Sequence, residues 1–148
     1  MTAKKSKLSD EAQIRELIDS WVKAVRAKDI NGLMSNYAPN VQAFEVMTPI
    51  QYVGADAYKK IWEMCFLEFQ GPIGYEMRDL SVTAGNDLAF CHSLNRFSGT
   101  RKDGKEEDMW VRATVCFQKM NGKWMVTHEH ASVPFDVESG QASLHLKP

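Results

Sequence analysis

Asn121-Gly122 joins two runs rich in β-branched and aromatic residues, 109–117 and 124–132, and constrains the fold more than any other feature of the chain. The dipeptide asks for a two-residue type I′ turn, in which both central positions need φ > 0. Such a turn also fixes the register of the strands it joins. Unbroken pairing sets Arg112 opposite Ala131, Thr114 opposite Glu129 and Cys116 opposite Thr127. These six side chains then share one face, with Arg112 and Glu129 as diagonal neighbours within reach of each other. Val111, Ala113, Val115 and Phe117 share the other face with Val126, His128, His130 and Ser132. The first face carries Arg, Thr and Glu, yet Trp110, Cys116 and Ala131 make it too apolar for open water. We expect it to line an enclosed cavity.

The rest of the chain changes period halfway. Ser9-Asp10-Glu11 supplies a helix N-cap and an acidic first turn. Ile14, Leu17, Ile18, Trp21, Val22 and Val25 then recur at helical spacing up to Lys28-Asp29. Asp29 can cap a short second helix carrying Leu33, Met34 and Tyr37, which Pro39-Asn40 breaks. Residues 41–46 read as a strand. Gly54-Ala55-Asp56 opens a third helix with Tyr58, Ile61, Trp62, Cys65, Phe66 and Phe69, stopped by Gly71-Pro72. Beyond that the period is two: strands over 75–83 and 88–97, a loop around Asp103-Gly104, and the hairpin. Helices first and antiparallel strands after define an α+β fold. A long sheet of this kind twists, so it can wrap three helices as a half-open cone with a ligand site at its mouth. We expect a frayed start at 1–8, one domain over 9–135, and an arm or disordered tail at 136–148.

Composition narrows the partners. A net charge of −1 over 148 residues argues against a nucleic-acid surface. No apolar run approaches the roughly 20 residues of a membrane span, so neither nucleic acid nor membrane is an expected partner. Cys65, Cys91 and Cys116 are odd in number and set in apolar patterns, which fits buried thiols in the reducing cytoplasm. No glycine-rich phosphate loop occurs, and no cofactor is expected.

Several strings, in order, resemble the nuclear-transport-factor-2-like superfamily, also called SnoaL-like or ketosteroid-isomerase-like. They are Trp21-Val22-x-Ala24 with Lys28-Asp29, Tyr37-Ala38-Pro39-Asn40, Gly54, Trp110-x-Arg112-x-Thr114, Asn121-Gly122-Lys123-Trp124 and His128-Glu129-His130-x-Ser132-x-Pro134. The closing strings look most like stand-alone SnoaL-like proteins, and also like the association domain of calmodulin-dependent kinase II. The resemblance implies a cystatin-like cone: a curved, mostly antiparallel sheet around three N-terminal helices. In ketosteroid isomerases a helix-1 tyrosine serves the oxyanion hole; that slot here holds Trp21. The position of their general base falls on Glu45, and that of their second acidic donor near Thr114. One part of that trio in three is kept. The same superposition places Thr114, Thr127, Glu129 and Ala131 on the inner wall.

From this we expect a pocket protein for a small, partly apolar organic ligand. Isomerisation or hydration by proton transfer is the activity the resemblance suggests, and whether the chain is an enzyme stays open. Glu45 is the candidate base and Arg112 its electrostatic partner, able to hold a ligand carboxylate bidentately. Trp21, Trp62, Asn95, Trp110, Thr114, Thr127 and Glu129 are the expected lining. Two alternatives stand beside this: an association module without catalysis, and a metal-dependent enzyme using His128 and His130 with His92. The register sends that histidine pair to the face away from Arg112, and no metal is expected. Val111, Val115, Phe117, Trp124 and Val126 would leave an apolar outer face. A second copy packed sheet to sheet is its natural cover.

Overall fold

A computed structural model describes residues 8–148. The frayed start expected at 1–8 falls, apart from Leu8, outside the described residues. α1 (Asp10–Ala27) begins where Ser9 Oγ accepts the amide of Ala12 at 3.1 Å and ends at Lys28 in the left-handed region. α2 (Ile30–Met34) starts on Asp29, whose carboxylate accepts the Gly32 amide. β1 (Tyr37–Phe44), β2 (Tyr52–Val53), α3 (Ala55–Glu68), β3 (Phe69–Ala84), β4 (Leu88–Arg101), β5 (Glu106–Met120) and β6 (Lys123–Ser132) follow. The fold is the expected α+β one. Boundaries differ in several places: Tyr37, Pro39 and Asn40 belong to β1, which ends at Phe44; β2 is an added strand; β3 starts directly after α3, with Gly71-Pro72 inside it; β4 runs on to Arg101 and β5 starts at Glu106.

The described residues form one six-stranded sheet in the order β2-β1-β6-β5-β4-β3. All neighbours run antiparallel except β1 and β6, which are parallel. β3 is kinked twice. Its pairing with β4 shifts between Gln70 and Gly74, next to Gly71 at φ 68°, and again between Arg78 and Ser81, where Asp79 takes φ 57°. Such bulges bend a strand and raise its twist, which is how a long sheet closes into a cone. α1 lies mainly on β3, and α3 lies on β1 and β2. The central strands β5 and β6 are thus spanned at one end and left open at the other.

The hairpin starts as its turn dictates. Asn121 and Gly122 have φ of 50° and 77°, and Met120, Lys119, Gln118 and Phe117 pair with Lys123, Trp124, Met125 and Val126. A bulge then inserts Thr127, so that Cys116 pairs with His128, Val115 with Glu129, Thr114 with His130 and Arg112 with Ser132. The expected register is therefore corrected beyond Phe117. The expected faces of β5 are corrected as well. The helices cover its apolar side: Phe117, Trp124 and Val126 are 3%, 2% and 6% exposed and belong to the core. Hydrophobic burial decides between the two sides, because one side of β5 carries Val111, Ala113, Val115 and Phe117 and the other Trp110, Arg112 and Thr114. The apolar surface expected to need a partner is covered by the chain's own helices.

At the far end, Phe135 bridges to Ala142 across a turn in which Gly140 donates to the Asp136 carbonyl. No helix among the described residues is long and apolar enough to cross a membrane.

Candidate functional site

Arg112 is outside because the helices cover the other side of β5, and the bulge at Thr127 turns Glu129 to the covered side. Glu129 pairs with Val115 on one side and Ala43 on the other, both on the covered face of the sheet. A lone carboxylate there would be costly, and two tyrosines answer it. Tyr37, at the start of β1, donates its hydroxyl to Oε1, and Tyr58 of α3 donates to Oε2 at 2.6 Å. Both phenols are fully buried, and their rings lie 5.0 Å apart. Three separate elements converge on one carboxylate.

Glu45 joins this cluster from the end of β1. Burial raises its carboxyl most, the charge of Glu129 raises it further, and the nearby Tyr58 hydroxyl lowers it, which leaves it at about 8 against a usual 4.5. Burial also raises Glu129, while hydrogen bonds from Tyr37 and Tyr58 pull it down. Two carboxyls this close titrate as a unit. Glu129, with a phenol on each oxygen, is the member built to hold the charge, and Glu45 the member that holds the proton. The same burial and negative neighbours push the Tyr37, Tyr58 and Tyr75 phenols upward, so they stay protonated as donors. Glu45 also lines a cleft of about 770 Å³ with Phe44, the 46–51 loop and His130. Of the pair, Glu45 alone reaches this opening, which lies at the end of β1 on the side of Phe44 and His130.

A second polar chain runs across the sheet beside it. Ser93 Oγ donates to Asn95 Oδ1 at 2.7 Å, and Asn95 Nδ2 donates to the Tyr75 hydroxyl at 2.9 Å. Tyr75 packs edge-on to Trp21, with centroids 5.0 Å apart, and Trp21 packs edge-on to Trp62 at 5.6 Å. Trp21 Nε1 is buried and finds no acceptor among the described residues. Val111, Ala113, Val115, Glu129 and Ala131 stay partly accessible although they lie on the covered face of the sheet. The helices straddle β5 and β6, and the two alanines are short, so a hollow is left over these strands.

Of the residues expected at the site, Trp21, Trp62, Asn95, Glu45 and Glu129 lie on this inner side. Arg112, Thr114 and Trp110 do not. They stand on the opposite face with His92, His128 and His130. There Arg112 Nε donates to Ser132 Oγ at 3.1 Å, and Arg112 and Thr114 line a groove of about 530 Å³ with Asp79, His92 and His130. Arg78 lies 5.3 Å over the Trp110 ring. Thr127 is the bulge residue, its hydroxyl directed to the Cys116 carbonyl at 3.4 Å. His128 and His130 point away from the hollow, as the register expectation had it, but they share that face with Arg112. The arginine and the carboxyl pair are thus separated by the thickness of the sheet, and no ion pair links them. Among the described residues no three His, Cys, Asp or Glu groups are placed to hold a metal ion. Replacing Arg112 with Met should leave the melting temperature within about 2 °C, as for exposed side chains with one weak contact. A drop several times larger in a thermal melt would put Arg112 in the core.

Tyr37, Tyr58 and Tyr75 are the site residues that sequence reasoning missed. Two signals for them existed: a buried tyrosine needs a partner for its hydroxyl, and Glu129 is the charged residue on the face of β6 that otherwise carries Trp124, Val126 and Ala131.

The chain matches the SnoaL-like domain family over residues 14–136 and belongs to it. Its superfamily is the nuclear-transport-factor-2-like one. A protein of unknown function of that class from Pseudomonas putida KT2440 is 41% identical, with 93% of this chain and 96% of that chain covered, at a TM-score of 0.85. A ketosteroid isomerase-like protein from Erwinia carotovora atroseptica SCRI1043 is 20% identical over 85% of this chain and 97% of its own, at 0.72. A superfamily protein from Salmonella enterica serovar Typhimurium LT2 is 15% identical over 89% and 96%, at 0.76. These last two share the fold with this chain. No curated protein matches it.

Proposed function

We propose that this protein, placed in the cytoplasm, binds a small, partly apolar organic molecule in the hollow of the cone and moves a proton on it. The observation that carries the reading is the carboxyl pair. Glu45 stands at the rim, lining the cleft of the 46–51 loop on one side and feeling the charge of Glu129 on the other, and Glu129 is held by two tyrosine hydroxyls. A base poised near the working pH transfers protons best, because it is both available and strong enough. Glu45 in its ionised form takes the proton, Glu129 tunes it, and Trp21 Nε1 supplies a donor for a ligand oxygen. Arg112 has no part in this scheme. Being a SnoaL-like protein with a ketosteroid isomerase-like structural neighbour is consistent with such chemistry and does not define the substrate.

The test uses 2-tetralone, a bicyclic ketone with exchangeable C–H bonds beside its carbonyl. In D2O the wild-type protein should speed deuterium incorporation, read by NMR, with a rate that rises with pH toward about 8. Glu45→Gln should lower that rate by about 10²-fold or more. Exchange that Glu45→Gln leaves untouched would remove the proposal.

We also propose self-association as a homodimer, through the sheet face opposite the helices. Phe90 is 46% exposed there, and Phe44, Leu94 and Trp110 lie on the same face. A monomer at micromolar concentration in sedimentation would dismiss it.

A further inference from the structure

The hollow has a sign. The ionisable side chains that meet there are Glu129 and Glu45, and neither is in a salt bridge with any described lysine, arginine or histidine. Arg78 of β3, Arg96 of β4 and Arg112 of β5 register to the other face of the sheet, and Arg101 at the end of β4 is paired with Glu68 and Glu107. Two cations approach from α1 and its C-cap, and both are already engaged. Arg26 donates through Nε and Nη2 to the Tyr75 carbonyl, at 2.9 and 2.5 Å, and Lys28 Nζ donates to the Phe69 carbonyl. An anionic ligand would therefore lie beside a buried carboxylate that no ion pair neutralises, His128 acting on it only from the other face of the sheet, and its binding would be disfavoured.

The walls favour the opposite charge. Tyr37 and Tyr58 reach Glu129 through their hydroxyls and are themselves buried, while the partly accessible Trp21 and Trp62, packed edge-on to each other, present aromatic surface on the same side of the sheet. Aromatic faces attract organic cations, most strongly where water is excluded. The buried Trp21 Nε1, without an acceptor of its own, is an independent sign that the polar chemistry of the hollow is completed by something other than these side chains.

We propose that the hollow selects a protonated amine on a compact apolar body, its ammonium set against Glu129, its body against Trp21 and Trp62, and an oxygen of the same molecule within reach of Trp21 Nε1. This rests on the carboxyl-pair site described above and adds the charge of what enters it. It reverses the expectation of an anionic ligand that Arg112 had suggested.

Three molecules of one shape test it: 2-aminotetralin as the ammonium, 2-tetralol as the neutral form, and 1,2,3,4-tetrahydro-2-naphthoate as the anion. Calorimetric titration of the full chain at pH 7 should show the ammonium binding about tenfold more tightly than the alcohol, and the carboxylate more weakly than either. In Glu129→Gln the advantage of the ammonium should shrink to about twofold or less. If that variant does not fold, the advantage of the ammonium in the wild type should at least double from pH 7 to pH 9, where Glu45 ionises as well, and Glu45→Gln should abolish that increase. A carboxylate that binds as well as the ammonium overturns the proposal. So does an ammonium preference that survives both substitutions, because it would arise at surface acids. If deuterium exchange into 2-tetralone depends on Glu45 while the charge order is reversed, this inference alone falls. If none of the three probes binds at millimolar concentration, the hollow is no ligand site and both readings fall together.

Discussion

Replacing Glu45 with Gln is expected to stabilise the fold at pH 8.5 and to leave it nearly unchanged at pH 4. The sign follows from proton linkage. The folded chain keeps the Glu45 proton up to about pH 8, whereas the unfolded chain releases it near the usual 4.5. Between those values the native state binds more protons than the unfolded state, so stability falls as pH rises through the window. Glutamine carries no charge at either end and escapes the loss. A full shift of this size corresponds to roughly 4–5 kcal/mol as an upper bound, at about 1.4 kcal/mol per pH unit. Relaxation around the site and coupling to Glu129 bring the expected gain at pH 8.5 to about 2–3 kcal/mol. Urea unfolding of both proteins from pH 4 to 9 checks it. Parallel curves would show that Glu45 titrates as an ordinary exposed carboxyl.

Trp124→Ala should be the most destabilising of the substitutions considered. Trp124 is 2% exposed and follows the tight turn directly, and its indole Nε1 donates to Asp10 Oδ1 at 3.1 Å. Lys119 Nζ reaches the same oxygen at 2.7 Å and lies 4.9 Å over the indole ring. These contacts hold the Asp10 carboxyl below its usual range. One side chain thus ties the hairpin to the first turn of α1, closing one end of the cone. Truncating a buried tryptophan costs about 3–5 kcal/mol, a large part of the total of roughly 5–15 kcal/mol for a domain. The melting temperature should fall by about 8–15 °C. Trp124→Phe, which keeps most of the volume and loses the hydrogen bond, should lose less than half as much. Equal losses in the two variants would mean that the bond to Asp10 outweighs packing.

The fold was legible because its signals are local and repeated. Helical spacing from Ile14 to Val25, the cap at Ser9 and the Asn121-Gly122 turn each act within a few residues, and each is found where it was read. The site was legible in part. Glu45 and Glu129 were named, and Glu129 faces inward. The polarity of β5 alone points to its Arg112 side as the cavity wall and the turn alone to an unbroken register, whereas the helices cover the other side and Thr127 breaks the register. The two differences cancel for Glu129, whereas Arg112, on β5, is affected by the first alone. A bulge leaves little trace in composition, since its cause is the curvature of the whole sheet and not the residues at the break. The tyrosines were missed for a related reason. Tyr37 and Tyr58 stand 92 and 71 residues from Glu129 in sequence, and no periodicity reports a contact across such a distance.

The kinks in β3 bear on how many copies of this chain can share a solution. β3 is 16 residues long and forms one border of the sheet, while the other border, β2, has two residues. A straight strand of that length would offer a row of free amides and carbonyls to any neighbouring molecule. Gly71-Pro72 removes one donor near its start, and Asp79 in the left-handed region breaks the row again beside the charged Glu76 and Arg78. What is left is a set of short, misaligned stretches onto which no second strand can zip. The bends that curl the sheet around its hollow thus also guard the chain against growing edge to edge into fibres.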